Sequence, residues 1–376
     1  MVAVGPEQGQ NVGPARCTST TLILSRFRAD PYNPPPLVHG GFGGLCGDDL
    51  AESARRWHMP SSIPVFRAVP TAADPRFERM ADVYQPVIII GAARSGTNML
   101  RDVLTSLPGA GTWPCDEINY IWRHRNARNP LDEFQSHQAT GPVRRFIRGE
   151  FDRIAGRGGL DVVVEKTCAN SLRVGFVDRV VPDARYLFLG RDGVDVVASA
   201  MTCWTNPIDL GYIFRKARFV PWRDVPYYGA RYLANRLYHL VSGKKRLAAW
   251  GPRFEGMQRA LVERSLAEVC ALQWARSVQL ASEALAGIDA DRVLCLQYEQ
   301  FVDAPQKYTQ RIVDFLEIDV DPTAIASSVA GVSRRSVGKG RRQLDDETIA
   351  SIMPILESVP RQPEVEAPNP SQEVAA

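Results

Sequence analysis

Four short runs of apolar, largely β-branched residues stand out along the chain: 87–90 (Val-Ile-Ile-Ile), 162–164 (Val-Val-Val), 186–189 (Tyr-Leu-Phe-Leu) and 293–296 (Val-Leu-Cys-Leu). None alternates with polar residues and each is bounded by turn signals, the pattern of parallel strands covered on both faces. Between them the period changes. Val194, Val197, Ala198 and Met201 recur at helical spacing after the third run, and Leu266, Val269, Cys270 and residues 273–278 form a helical segment before the fourth. Residues 99–107 form another after the first. Strands alternating with helices predict an α/β fold: three layers, α/β/α, around a central, mainly parallel sheet.

The flanks lack either period. Residues 1–85 carry the proline run 34–36 and the glycine cluster 40–44, predicting an irregular N-terminal extension, with Met59 and Met80 as alternative starts and a lid-like role left open. The folded domain is expected over 86–358, with a helical insert at 205–262, and the Pro-, Glu- and Ala-rich stretch 359–376 reads as a disordered tail.

Composition narrows the setting. The 45 basic and 42 acidic residues leave a net charge of +3, too small to imply nucleic-acid binding. The seven cysteines (17, 46, 115, 168, 203, 270, 295) include no C-x-x-C pair. This spacing fits neither a disulfide framework nor a zinc site and suits a reducing, cytoplasmic location. No apolar run approaches the roughly 18 residues of a membrane span, and no H-x-H, H-x-x-x-H or acidic triad suggests a metal.

The first candidate for chemistry follows the first strand. Gly91-Ala-Ala-Arg94-Ser95-Gly96-Thr97-Asn98 leads into a helix, and a strand, a glycine turn and a helix start together aim free backbone N–H groups at an anion. The spacing Gly91-x-x-x-x-Gly96 is that of a nucleotide-phosphate loop. Thr97, however, stands where a phosphoryl-transferring enzyme keeps its lysine, and Asn98 where it keeps the magnesium-binding hydroxyl. Arg94 still supplies a cation for a phosphosulfate, a group with less charge to neutralise.

Arg94-Ser-Gly-Thr-Asn98 resembles the 5′-phosphosulfate loop of the PAPS-dependent sulfotransferases, which use 3′-phosphoadenylyl sulfate as sulfuryl donor. Three further blocks, in order, are similar to that family: Arg191-Asp-Gly-Val-Asp195 with Ser199 (the 3′-phosphate segment), Arg292-Val-Leu-Cys-Leu-Gln-Tyr298-Glu299, and Ser336-Val-Gly338-Lys339-Gly340-Arg341-Arg342 (a basic glycine loop closing over the nucleotide). The resemblance implies a P-loop-type α/β/α fold and PAPS as co-substrate, with no metal. It assigns Arg94, Ser95, Gly96, Thr97, Asn98, Arg191, Ser199, Tyr298, Gly338, Lys339 and Arg341 to nucleotide binding. Arg191 and Ser199, two helical turns apart, are expected to converge on one phosphate. Glutamine at 300 departs from the family's usual aspartate.

Transfer to a hydroxyl needs a base for its proton and cations for the charge on the leaving oxygen. In the protein-tyrosine and several carbohydrate branches the base is a glutamate after the phosphate-loop helix. Glu117 in Trp113-Pro-Cys-Asp116-Glu117-Ile-Asn119 matches that placement, with Asp116 and His124 as alternatives. Lys166 in Glu165-Lys166-Thr167-Cys168 resembles the lysine that steadies the bridging oxygen, with Asn170 assisting; the histidine motif of the small-molecule branch is absent. Arg94 completes the catalytic set.

The stretch 203–264 gathers Trp204, Trp222, Tyr227, Tyr228 and Tyr232 with twelve Lys/Arg against four acids. Aromatic faces stack on sugars and cations attract anionic polymers or head groups, so a poly- or oligosaccharide or a glycolipid is the expected acceptor. A basic amphipathic helix over 228–240 suits either peripheral membrane contact or packing on the core. Two other functions share the scaffold: a P-loop kinase, which would turn over ATP with Mg²⁺, and a non-catalytic protein binding PAP, the desulfated product, or polyanions. The oligomeric state is open.

Overall fold

The computed structural model describes residues 84–205 and 250–359. The expected N-terminal extension, the greater part of the insert with its helix at 228–240, and the tail from 360 on lie outside the described residues.

In chain order the elements that position the site are β1 (Gln85–Ile90), α1 (Thr97–Thr105), β2 (Ala110–Gly111), α2 (Gly141–Gly158), β3 (Val162–Lys166), α3 (Val174–Val180), β4 (Arg185–Gly190), α4 (Gly193–Thr205), α5 (Leu266–Leu285), β5 (Val293–Gln297), α6 (Tyr298–Asp303), α7 (Pro305–Leu316), α8 (Lys339–Gln343) and α9 (Asp346–Glu357). All five strands run parallel in the order β2-β3-β1-β4-β5. The fold is therefore the expected three-layer α/β/α, P-loop-type arrangement.

The apolar runs show why the sheet lies between two helical layers. Ile88, Ile90, Val163, Tyr186 and Phe188 face a cluster built with Phe151 of α2, Phe176 and Val177 of α3, and Val278 and Ala281 of α5. Their neighbours Val87, Ile89, Val162, Val164, Leu187 and Leu189 face a second cluster with Leu100 and Val103 of α1, Phe301 of α6 and Ile312 of α7. With period-2 side chains, a strand apolar at every position must be covered twice.

Two boundaries differ from expectation. β2 has only two residues, too few for any periodicity to announce. Helix α1 begins at Thr97 rather than 99, because Gly96 takes a left-handed φ of 93° and starts the helix inside the phosphate-loop motif itself. At the end of the expected insert, Phe254, Met257 and Ala260 are buried with α4, α5 and α9. The same stretch is hydrogen-bonded down: Gln273 donates to the carbonyls of Trp250 (3.0 Å) and Pro252 (2.8 Å), and the Arg253 N–H donates to Asp132 at 2.9 Å.

Phe151 is fully buried with its ring edge-on to Trp113 at 4.8 Å. Phe151→Ala should lower unfolding stability by about 3–5 kcal/mol through the cavity it opens, read from the urea midpoint at unchanged m-value.

Candidate active site

A parallel sheet sends all its C-terminal strand ends to one edge, and here that edge carries the loops after β1, β3, β4 and β5. The register sets Ile89 beside Lys166, Ile90 beside Phe188 and Gly190 beside Gln297. Arg94, Lys166, Arg191 and Tyr298 thus leave the sheet at neighbouring points. The connections from β1 and β4 run to opposite faces, which opens a crevice between them of the kind where α/β sheets bind ligands.

The loop after β1 is tightly constrained. A Cβ on Gly91 would meet the Leu189 carbonyl at 2.9 Å, and one on Gly96 would meet the Tyr298 ring at 2.4 Å. Arg94 itself adopts a left-handed φ of 75°, a conformation that costs a non-glycine residue of order 1–3 kcal/mol. Ser95 and Thr97 are buried, Asn98 is half-buried and Arg94 is exposed. The first turn of α1 presents N–H groups that no carbonyl of its own helix reaches.

Arg191 joins this loop to three other segments. Its Nη1 donates to the Arg94 carbonyl at 3.0 Å and its Nη2 to the Ser336 carbonyl at 2.9 Å. The guanidinium lies over the Tyr298 ring at 4.2 Å and 3.9 Å from Asp195. Its side chain is only 7% exposed, and its Nε is buried without a hydrogen-bond partner. Ser199 Oγ accepts from Arg94 Nε at 3.0 Å, so Arg191 and Ser199 both contact Arg94, one at its carbonyl and the other at its side chain.

The basic glycine loop is held by a residue whose role the sequence did not reveal. Asp195, buried in the first turn of α4, accepts from Gly338 N–H at 2.8 Å and Gly340 N–H at 2.6 Å. A Cβ on Gly340 would meet the Val194 carbonyl at 2.4 Å, so only glycine lets this backbone approach so near. Lys339 and Arg341 stay exposed, with Arg341 3.5 Å from Asp192. Glu299, which follows Tyr298, accepts from the Asp192 N–H at 3.0 Å.

On the β3 side, Lys166 Nζ donates to Glu117 Oε1 at 2.9 Å, and the Cys168 N–H points at the same oxygen at 3.4 Å. The lysine is buried and the glutamate a quarter exposed. Burial disfavours the ammonium, but Cys168 and Glu117 outweigh it and hold the Lys166 pKa above its ordinary value. The lysine therefore keeps its charge at neutral pH. The alternative bases are engaged elsewhere: Asp116 accepts from Arg101 at 3.1 Å, and His124 is buried with its ring stacked on Phe146 at 3.9 Å. Asn170 is fully buried and donates to Glu165 at 2.9 Å, so its amide serves the interior.

Beneath this pair lies a polar network that the motifs did not announce. Glu165 is fully buried and accepts from Thr167 Oγ1 (2.6 Å) as well as Asn170. Burial pushes its carboxyl up to about 7. Among the described residues no group of His, Cys, Asp and Glu could hold a metal ion, and no helix is long and apolar enough to cross a membrane.

Comparison with known proteins adds an independent line. The family model described as the sulfotransferase family matches residues 86–209 and 235–322, together more than half of the chain. Among solved structures, the chain is similar to the sulfotransferase domain of the Synechococcus PCC 7002 olefin synthase (15% identity, 73% of this chain and 94% of that one, TM-score 0.43). It is also similar to mouse sulfotransferase SULT7A1 complexed with PAP (14%, 78% and 92%, 0.42) and to sulfotransferase STF9 from Mycobacterium avium (11%, 76% and 78%, 0.42). No curated protein matches the chain.

The raised Glu165 pKa has a measurable sign. Between pH 4.5, the ordinary value, and about 7 the unfolded chain ionises this carboxyl while the folded protein keeps it protonated, so it withdraws stability as pH rises through that window. Glu165→Gln should gain on the wild type by up to about 3 kcal/mol from the bottom of the window to the top, read from urea unfolding at several pH values.

Proposed function

The chain belongs to the sulfotransferase family, and on that premise we propose that it transfers the sulfuryl group of PAPS to a hydroxyl of a carbohydrate or glycolipid, with Glu117 as base and Lys166 and Arg94 as the cations of transfer. Membership replaces the kinase reading, which the threonine at 97 and asparagine at 98 already disfavoured. The observation that carries the proposal is the gathering at one sheet edge of the Arg94 loop, Arg191 over Tyr298, and the Lys166–Glu117 pair.

In this reading the loop 94–98 receives the 5′-phosphosulfate through backbone N–H groups and Arg94. The 3′-phosphate goes to Arg191, Ser199 and the 338–341 loop, with Tyr298 closing the floor. The donor set fits a nucleotide anionic at both ends: the Arg191 Nε has no protein partner, and Lys339 and Arg341 face solvent. Glu117 takes the acceptor's hydroxyl proton as the new O–S bond forms. The S–O bond to the bridging phosphate oxygen breaks, and Lys166 and Arg94 meet the charge that oxygen gains. Lys166 Nζ, 2.9 Å from Glu117, holds that carboxylate at the site.

The carbohydrate or glycolipid acceptor draws its support from the aromatic and basic residues of 203–264. A cytoplasmic setting suits the cysteines, which are free at all five described positions.

Transfer of radiolabelled sulfate from PAPS across a panel of glycans, glycolipids and phenols tests the proposal. Glu117→Gln should keep PAP affinity within about twofold and lose turnover about a hundredfold or more. Arg191→Ala should weaken PAP binding by about tenfold or more, as expected of a charge-assisted contact. Full activity in Arg191→Ala, or labelling of phenols alone, overturns the corresponding part.

A further inference from the structure

Glu117 stands on an irregular segment outside the strand-end loops. Lys166 ends a central strand, and Arg94 and Arg191 sit in loops gripped by glycine contacts and backbone hydrogen bonds. Residues 112–118 lie between β2 and the short helix Asn119–Trp122, so something else must fix where the carboxylate points.

The chain just past Glu117 is tied twice to the interior. The Ile118 N–H donates to Thr167 Oγ1 at 3.2 Å, and that hydroxyl donates onward to Glu165 Oε1 at 2.6 Å. A hydroxyl has one proton, so the acceptor below fixes the lone pair offered above. The Asn119 amide oxygen accepts from Arg173 Nη2 at 2.6 Å, Arg173 Nε donates to Asn170 at 2.9 Å, and Asn170 donates to the other Glu165 oxygen at 2.9 Å. Both routes end on one buried carboxyl group, that of the residue next to Lys166. The element that presents the cation therefore also sets the backbone that presents its partner.

We propose that Thr167, Asn119 and Glu165 are positioning residues for sulfuryl transfer, fixing the backbone after Glu117 so that its carboxylate stands at Lys166. This rests on Glu117 being the base. Thr167 and Asn119 act through that carboxylate, and the nucleotide contacts on the β1 and β4 loops do not depend on them.

The test is a double-mutant cycle on the full chain with PAPS. The readouts are single-turnover release of radiolabelled sulfate to water at excess enzyme, which needs no identified acceptor, and PAP affinity by calorimetry. Thr167→Val, close in shape but lacking the hydroxyl, should slow turnover about 10- to 100-fold while PAP affinity and the urea midpoint of the liganded protein change little. Thr167→Ser should restore the rate to within about threefold. In a Glu117→Gln background Thr167→Val should have no further effect on the residual rate. Asn119→Ala should repeat the pattern and replaces Thr167→Val should that variant not fold.

Unchanged turnover in Thr167→Val, an equal loss in the Glu117→Gln background, or a parallel loss of PAP affinity overturns the positioning role. If Glu117→Gln alone keeps the wild-type rate, the base assignment fails and takes the positioning role with it.

Discussion

The guanidinium of Arg191 is the point on which the cluster of loops at the ends of β1, β4 and β5 depends. It is a nearly buried cation at the end of β4, and burying a charge is tolerable only when its donors are matched. Two backbone carbonyls take its Nη donors and an aromatic face and a carboxylate lie beside it, each from a different stretch of chain, while its Nε keeps no protein partner. Satisfying one side chain thereby fixes the relative positions of the loop after β1, the start of α6 and the loop before α8. Loops that would otherwise carry their own conformational entropy become parts of one cradle.

Asp195 does for the 338–340 loop what Arg191 does for the others. Its carboxylate gathers two N–H groups of that loop, and Gly340 permits the approach because it has no Cβ. The acidic residues among the basic motifs are therefore part of the binding architecture, not diluents of its charge. Electrostatics at the site follows from this division: structural acids bind backbone amides, while Arg94, Lys339 and Arg341 keep their charge toward solvent.

On the β3 side the logic is different. Lys166 and Glu117 form an ion pair in partial burial, and the carboxylate is among the groups that hold the lysine's pKa up. Their support comes from a buried carboxyl, a hydroxyl, two amides and a guanidinium joined by hydrogen bonds. Such networks restrict the geometry of the segments they join.

Much of this was legible in the chain alone. The strand runs at 87–90, 162–164, 186–189 and 293–296 became β1, β3, β4 and β5, because sterically stiff apolar runs that short can be buried only as covered strands. The turn between β1 and α1 was legible because glycine at 91 and 96 leaves a local signature, whereas the roles of Arg94, Glu117 and Lys166 were read from the motif blocks that carry them. The partnerships were not. Ser199 meets Arg94, His124 belongs to the core, Asp195 grips a loop about 145 residues away, and Glu165 gathers both ties of the Glu117 segment. Sequence determines which residues can form which local element; it leaves open which distant polar groups meet, because hydrogen bonds between remote segments depend on distances and directions that exist only once the sheet and its helices are packed.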